Sequence, residues 1–279
     1  MLLVTGATGK VGRHVVRNLA GRGIQVRALS RRPGEADLPE SVEVVPGSPE
    51  DPASVAAALH GVERAFVVLV GDVEAQAAGF AEAARAAGAL KHVVLLSSSA
   101  VVHPLQHRIR AEHEAAERIV GAAVPSLTVL RPGPFHSNAL WWAASIRDEG
   151  RVRCLVGDNP GAPVDPADVA GVGVAALSPE HAGRVYELTG PQVLSSADQT
   201  RILGELLGRR LDFAVATEEE TVAMFTAITG DRGTAEGNVR ALRSRRVPWA
   251  RVRPAVDEVL GRPARPFRDW AAEHLAAYR

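Results

Sequence analysis

The chain has 279 residues, 46% of them hydrophobic, and its 32 basic and 32 acidic side chains cancel. That length allows one large domain or two unequal lobes with ample core, and the even charge excludes a general nucleic-acid footprint. One cysteine, Cys154, excludes an internal disulfide and a cysteine zinc site, and no apolar run approaches the ~20 residues of a membrane span.

Residues 1–4 form a short, branched, apolar run that suits a strand buried on both faces of a parallel sheet. The opening apolar residues run straight into a glycine motif, so no signal peptide and a cytoplasmic location are expected. That motif, GATGKVG at residues 6–12, turns the chain, and Val11, Val15, Val16 and Leu19 then recur at helical spacing until Gly21 and Gly23. A second strand is predicted over 24–29. Strand, glycine turn, helix and strand together make the context of a dinucleotide fingerprint. Gly6 would allow the tight turn, Gly9 the approach of backbone amides to a pyrophosphate, and Gly12 close packing of helix on strand. The helix N-terminus would add partial positive charge. The spacing is GxxGxxG rather than GxGxxG, and glycines of this kind also mark plain turns.

The second strand runs into ALSRRPG, with Ser30, Arg31 and Arg32 where an acid would bind the ribose 2′-hydroxyl of NAD. Two guanidinium groups suit a 2′-phosphate, so NADP(H) is the expected cofactor; the alternative is a pair of solvated loop arginines.

Strands are predicted over 42–45, 65–70, 92–96 and 127–130, with helices over 52–59 (Asp51 as N-cap), 74–87 and 106–122. This alternation predicts an α/β Rossmann fold, a doubly wound parallel sheet with helices on both faces and the ligand at the carboxyl ends of the strands. After Pro132 the rhythm breaks. Helices are expected over 138–146, 165–177 and 196–207, strands over 152–156 and 185–188, and a mostly helical stretch from about residue 217. Residues 1–150, with contributions from 165–190, read as the cofactor-binding core, and 151–279 as a smaller, mostly helical substrate lobe.

The fifth strand ends in Ser97, Ser98 and Ser99. Ser97 is expected at the cofactor and Ser98 as a catalytic hydroxyl; the alternative is that these serines simply cap the strand. The chain has two tyrosines, Tyr186 and Tyr278, neither in the helix that follows, so the Tyr-x-x-x-Lys pair of short-chain dehydrogenases is absent. On that helix Arg110, His113 and Glu117 share one flank beside the apolar stripe of Ile109, Ala116 and Val120. His113 could meet the cofactor ribose or donate a proton near neutral pH, or be a partly buried helix histidine. Glu117 reads as solvated or as a partner of His113. No histidine has metal-ligand spacing, and no metal is expected. The loop LRPGPFHSN, from Leu130 to Asn138, is fixed by its prolines and glycine where a nicotinamide would lie. Phe135 would cover the ring or the substrate, and Asn138 would cap the next helix. Trp141 and Trp142 offer flat apolar surface or belong to the core.

Taken in order, GATGKVGRHVV, VRALSRRP, HVVLLSSSA, HEAAE, LRPGPFHSN, VDPADVA and YELTGP resemble the NmrA-like atypical short-chain dehydrogenases, and most closely their NADPH-dependent quinone oxidoreductase branch. The resemblance runs from Leu2 to about Gly208. It implies NADP(H) held by Gly6, Thr8, Gly9, Lys10, Val11 and Arg31, with Val70 to Asp72 and Pro132 to Asn138 lining the nicotinamide. Two departures stand out: Ser48 follows Gly47 where the family often has an acid, and His113 stands where the isoflavone-reductase-like branch has a lysine. The implied activity is hydride transfer from NADPH to a quinone or related conjugated aromatic carbonyl, a reaction that needs little acid catalysis. The rival is an NADP(H)-binding redox sensor of the NmrA type without turnover; a sugar-nucleotide epimerase is weakened by the missing tyrosine. The expected partner is a small aromatic or quinone substrate, with no nucleic acid and no membrane; a homodimer stays open.

Overall fold

The computed structural model describes residues 1–102, 104, 107–154, 160–243 and 250–279. Its strands are β1 Leu2–Val4, β2 Val26–Ser30, β3 Glu43–Pro46, β4 Arg64–Val68, β5 His92–Leu96, β6 Leu127–Pro132, β7 Arg151–Cys154, β8 Val185–Leu188 and β9 Asp212–Val215. Seven make one sheet in the order β3-β2-β1-β4-β5-β6-β8, every pair parallel. The order reverses direction between β1 and β4, which opens a crevice at the carboxyl ends of those strands.

The pleat explains why these strands are so apolar. Leu2, Val4, Phe66 and Val94 face one layer, packing with α1 Gly12–Gly21, α6 Pro166–Ala175 and α10 Ala255–Leu260. Their neighbours Leu3, Ala65, Val67, Val93 and Leu95 face the other, against α2 Pro52–Ala58, α3 Val73–Ala86 and α4 Arg108–Gly121. Successive side chains point to opposite faces and both faces are covered, so the middle positions of these strands are apolar and polar side chains enter only at the first positions, Arg64 and His92.

A third apolar cluster joins α5 Ala143–Glu149, β7, α7 Ser196–Leu207 and α11 Phe267–Glu273 through Ile146, Val152, Leu203, Phe267 and Trp270. A fourth is small: Val222, Ala235 and Val239, with Phe225 against them, hold α8 Glu218–Thr229 to α9 Arg232–Arg243. No helix among the described residues is long and apolar enough to cross a membrane.

The doubly wound sheet expected from the sequence is the fold observed, and β8 and α7 lie at their predicted positions. The helix expected over 138–146 is two elements, a 3-10 segment His136–Trp142 followed by α5. The His136 amide donates to Val164 O and the Val164 amide to Pro134 O, tying the loop after β6 down before an α-helical pitch begins. The strand over 152–156 is β7, with 155 and 156 outside the described residues, as is position 106 at the start of the expected 106–122 helix. Strand β9, which pairs in parallel with β7, has no counterpart among the expectations. Its four residues alternate poorly and find their partner some sixty residues upstream.

Candidate functional site

Everything at the carboxyl edge begins with how β1 ends. The Thr5 hydroxyl donates to Val68 O and accepts from the Val68 amide, both at 2.8 Å, so β1 and β4 are closed by a side chain where their ladder stops. Gly6 follows at φ +57°, in the left-handed region. A Cβ on Gly12 would lie 2.1 Å from Gly6 O, so α1 can start only against a bare backbone. The close approach is to the turn's own carbonyl rather than to the strand, as the sequence suggested. The Gly9 amide is taken by Gly6 O at 2.9 Å, whereas the amides of Thr8, Lys10 and Val11 make no hydrogen bond among the described residues. Arg13 donates to Thr8 O and Gly9 O and fixes the turn from outside. Helix α1 has no side-chain cap and no acid in its first turn, which leaves its positive end uncompensated. A cradle of free amides with no room for a Cβ fits a diphosphate.

At the end of β2 the two arginines differ. Arg32 pairs with Glu35 at 2.8 Å. Arg31 is exposed and has no carboxylate partner among the described residues. On the other side of the turn the Gln76 amide accepts from the Val70 amide at 3.0 Å and donates to Val70 O at 2.6 Å. This buried clamp fixes the backbone after β4 and was missed in the sequence, where Gln76 is one polar residue in an alanine-rich helix.

Beyond β5 the Ser97 hydroxyl donates to Glu117 Oε1 at 2.6 Å, and Arg131 grips the same carboxylate through Nε at 2.9 Å and a terminal nitrogen at 2.5 Å. Glu117 is therefore neither solvated nor hydrogen-bonded to His113. It ties α4 to the ends of β5 and β6. The Ser98 hydroxyl oxygen accepts from the Ala100 amide and starts a 3-10 turn. The His113 side chain makes no hydrogen bond to a described residue, and burial pushes its imidazole down to about 4, with only partial opposition from Glu117. The expectation of a proton donor titrating near neutral pH is thereby corrected: His113 is a neutral imidazole. Neither tyrosine lies at the site; the Tyr186 hydroxyl bonds His181, and Tyr278 is fully buried.

Asn138 does not cap a helix. It lies inside the 3-10 segment, where its Oδ1 accepts from Lys10 Nζ at 3.3 Å. Lys10 also stands 5.1 Å from the centre of the Trp141 ring. Trp141 meets Phe225 of α8 edge-on at 6.4 Å, while Trp142 packs partly into the third cluster.

One cleft of about 1090 Å³ gathers these groups. Gly6, Thr8, Gly9, Lys10, Val11, Arg31, Arg32 and Val70 line one end; Ser97, Ser98, His113, Pro132, Phe135, Asn138, Trp141 and Trp142 line the other. Met224, Phe225 and Ile228 of α8, with Asn238 and Leu242 of α9, close the second end, and Cys154, Ser196 and Gln199 contribute to its wall. None of these is expected as a site residue from the sequence. The Thr217/Glu220 capping box marks where α8 starts, but nothing local says that α8 returns over the sheet edge. Among the described residues no group of metal-ligating side chains occurs.

Comparison with known proteins bears on this geometry. Residues 6–180 match the NAD(P)H-binding family. The chain is 43% identical over 284 residues to the (4-alkanoyl-5-oxo-2,5-dihydrofuran-3-yl)methyl phosphate reductase of Streptomyces griseus, with 100% of this chain and 99% of that protein covered. It is 33% identical over 288 residues to the NAD(P)H azoreductase of Xenophilus azovorans, covering 100% and 99%. Its fold is similar to that of an NADPH-dependent quinone oxidoreductase of Escherichia coli solved with NADPH, with a TM-score of 0.85, 24% identity, and 98% and 99% of the two chains covered.

Proposed function

The chain belongs to the NAD(P)H-binding family, as its resemblance to the NmrA-like reductases implies, and is an NAD(P)H-dependent reductase; from that premise we propose that NADPH is its donor and a quinone or another conjugated ring carbonyl its acceptor. The observation that carries this reading is the polarity of the cleft: amides and an Arg31 side chain that have no partner among the described residues at one end, flat apolar side chains at the other. The Streptomyces griseus reductase is named for a dihydrofuranone, itself a conjugated ring carbonyl.

The Thr8, Lys10 and Val11 amides and the start of α1 hold the diphosphate, and the Arg31 fork selects the 2′-phosphate. When bound, the reduced nicotinamide supplies hydride. Phe135, Trp141 and Trp142 would hold the acceptor ring flat and exclude water from it. His113, neutral across the physiological range, donates an N–H hydrogen bond to the acceptor oxygen as charge develops there. The reduced oxyanion is delocalised and takes its proton from water. The Ser97–Glu117–Arg131 network keeps the ends of β5 and β6 in register beneath this site. We assign 1–150 with 165–190 to the cofactor core and the remainder to the substrate lobe; α10 packs beneath α6 and braces the core.

The test is absorbance of NADPH with the purified protein and a panel of quinones and butenolides. Oxidation dependent on both protein and acceptor is expected. Tight binding of NADPH without oxidation by any acceptor would reject this reading in favour of a redox sensor.

A further inference from the structure

The chain has two lysines, Lys10 and Lys91, and they are held in opposite ways. Lys91 is exposed and pairs with Glu63 at 2.6 Å. Lys10 has no carboxylate partner among the described residues; its ammonium meets an amide oxygen and a tryptophan face, both neutral. Burial alone lowers its pKa, with no carboxylate opposing. Lys10 is exposed like Lys91, yet among the described residues its ammonium is met by an amide dipole and a ring quadrupole rather than by a counter-charge. Among the described residues the wall around its ammonium supplies none: Ile109, Phe135, Trp142, Met224, Ile228 and Leu242 are apolar. Lys10 belongs to the glycine turn at the cofactor end, but its ammonium reaches Asn138 and Trp141 at the substrate end, where among the described residues no arginine lines the cleft, since Arg31 and Arg32 lie with β2.

We infer that Lys10, held by Asn138 and Trp141, is a specificity-determining residue that receives an anionic substituent, a carboxylate or phosphate, carried by the ring that occupies the substrate end. This rests on the reading of that end as a ring-binding site. An anion can also come from the cofactor's diphosphate. The geometry favours the substrate: the side chain leaves the glycine turn and ends on Asn138 and Trp141, 128 and 131 residues further along the chain, while the amides of the turn remain available below. An anion there exchanges a weak amide contact for a charge-assisted one.

Calorimetry on the NADP⁺-loaded protein, with 2-naphthoate and the isosteric neutral 2-naphthamide, tests this without requiring turnover. The wild type should prefer the carboxylate by about tenfold or more, the scale of one partly buried charge-assisted contact. Lys10→Met should abolish the preference. Asn138→Asp, which keeps the ammonium but gives it an internal counter-ion, should abolish it too. A wild type indifferent to charge, or a preference surviving in Lys10→Met, overturns the proposal. So does a Lys10→Met variant that weakens NADP⁺ alone, because the ammonium then serves the diphosphate. Absence of NADPH oxidation by quinones would instead strike the proposed reaction and leave the naphthoate result to stand by itself.

Discussion

The two ends of the cleft are built on different principles. The cofactor end is backbone held from beneath: the Thr5 and Gln76 clamps and the Gly6–Gly12 contact fix peptide groups on a seven-stranded sheet packed on both faces. The substrate end is side chains held from the side. Helices α8 and α9 share a small apolar cluster and are joined to the body by half-exposed pairs, Arg108 to Asp231 and Arg153 to Glu220. A site for one invariant group can be rigid backbone. A site whose ligand varies is built from replaceable side chains on a weakly anchored hairpin, which belongs to the low-stability end of a structure.

That contrast can be broken most forcefully at Gly12. Gly12→Ala places a methyl against Gly6 O and should cost about 3 kcal/mol, with NADPH binding weakened at least a hundredfold by calorimetry. Unaltered binding would mean the turn is not a rigid cradle. Acid acts through buried histidines. His113 sits at about 4 and His136, buried against Phe267 and Trp270, at about 3, both from a reference of 6.5. These depressed values mean that the unfolded chain binds the extra protons, so their contribution is complete above pH 6.5 and is lost as pH falls towards 4. The slope is up to about 1.4 kcal/mol per pH unit for each histidine. Urea melts across that window should show it, and His136→Leu should flatten it by one proton.

Arg31→Ala should raise the Kd for NADPH about 10- to 100-fold, the scale of charge-assisted contacts to a phosphate, and leave NADH within about threefold. Equal weakening of both would show that Arg31 does not read the 2′-phosphate. The comparison is sharpened by a matched pair. Gln76→Leu strands the Val70 amide and carbonyl and should cost about 2 kcal/mol in global stability. Arg108→Met removes half-exposed ion pairs and should change the melting temperature little, yet speed proteolytic cleavage within α8 and α9. Equal global losses would mean that the hairpin is part of the core.

The sequence by itself determined the sheet, the glycine turn and the arginine pair, because each is local. A run of branched apolar residues, three glycines within seven positions, and a pair of cations after a strand carry their physical reason in a few neighbouring residues. Tertiary structure decided the rest. Gln76 looks like helix surface until β4 is beside it. Glu117 looks solvated until Arg131 and Ser97 close on it. Asn138 looks like a cap until Lys10 crosses the cleft. His113 looks titratable at neutral pH until burial lowers it. The α8–α9 wall is set by contacts between segments 67 to 123 residues apart, and a short window of sequence holds nothing of a contact made at that distance.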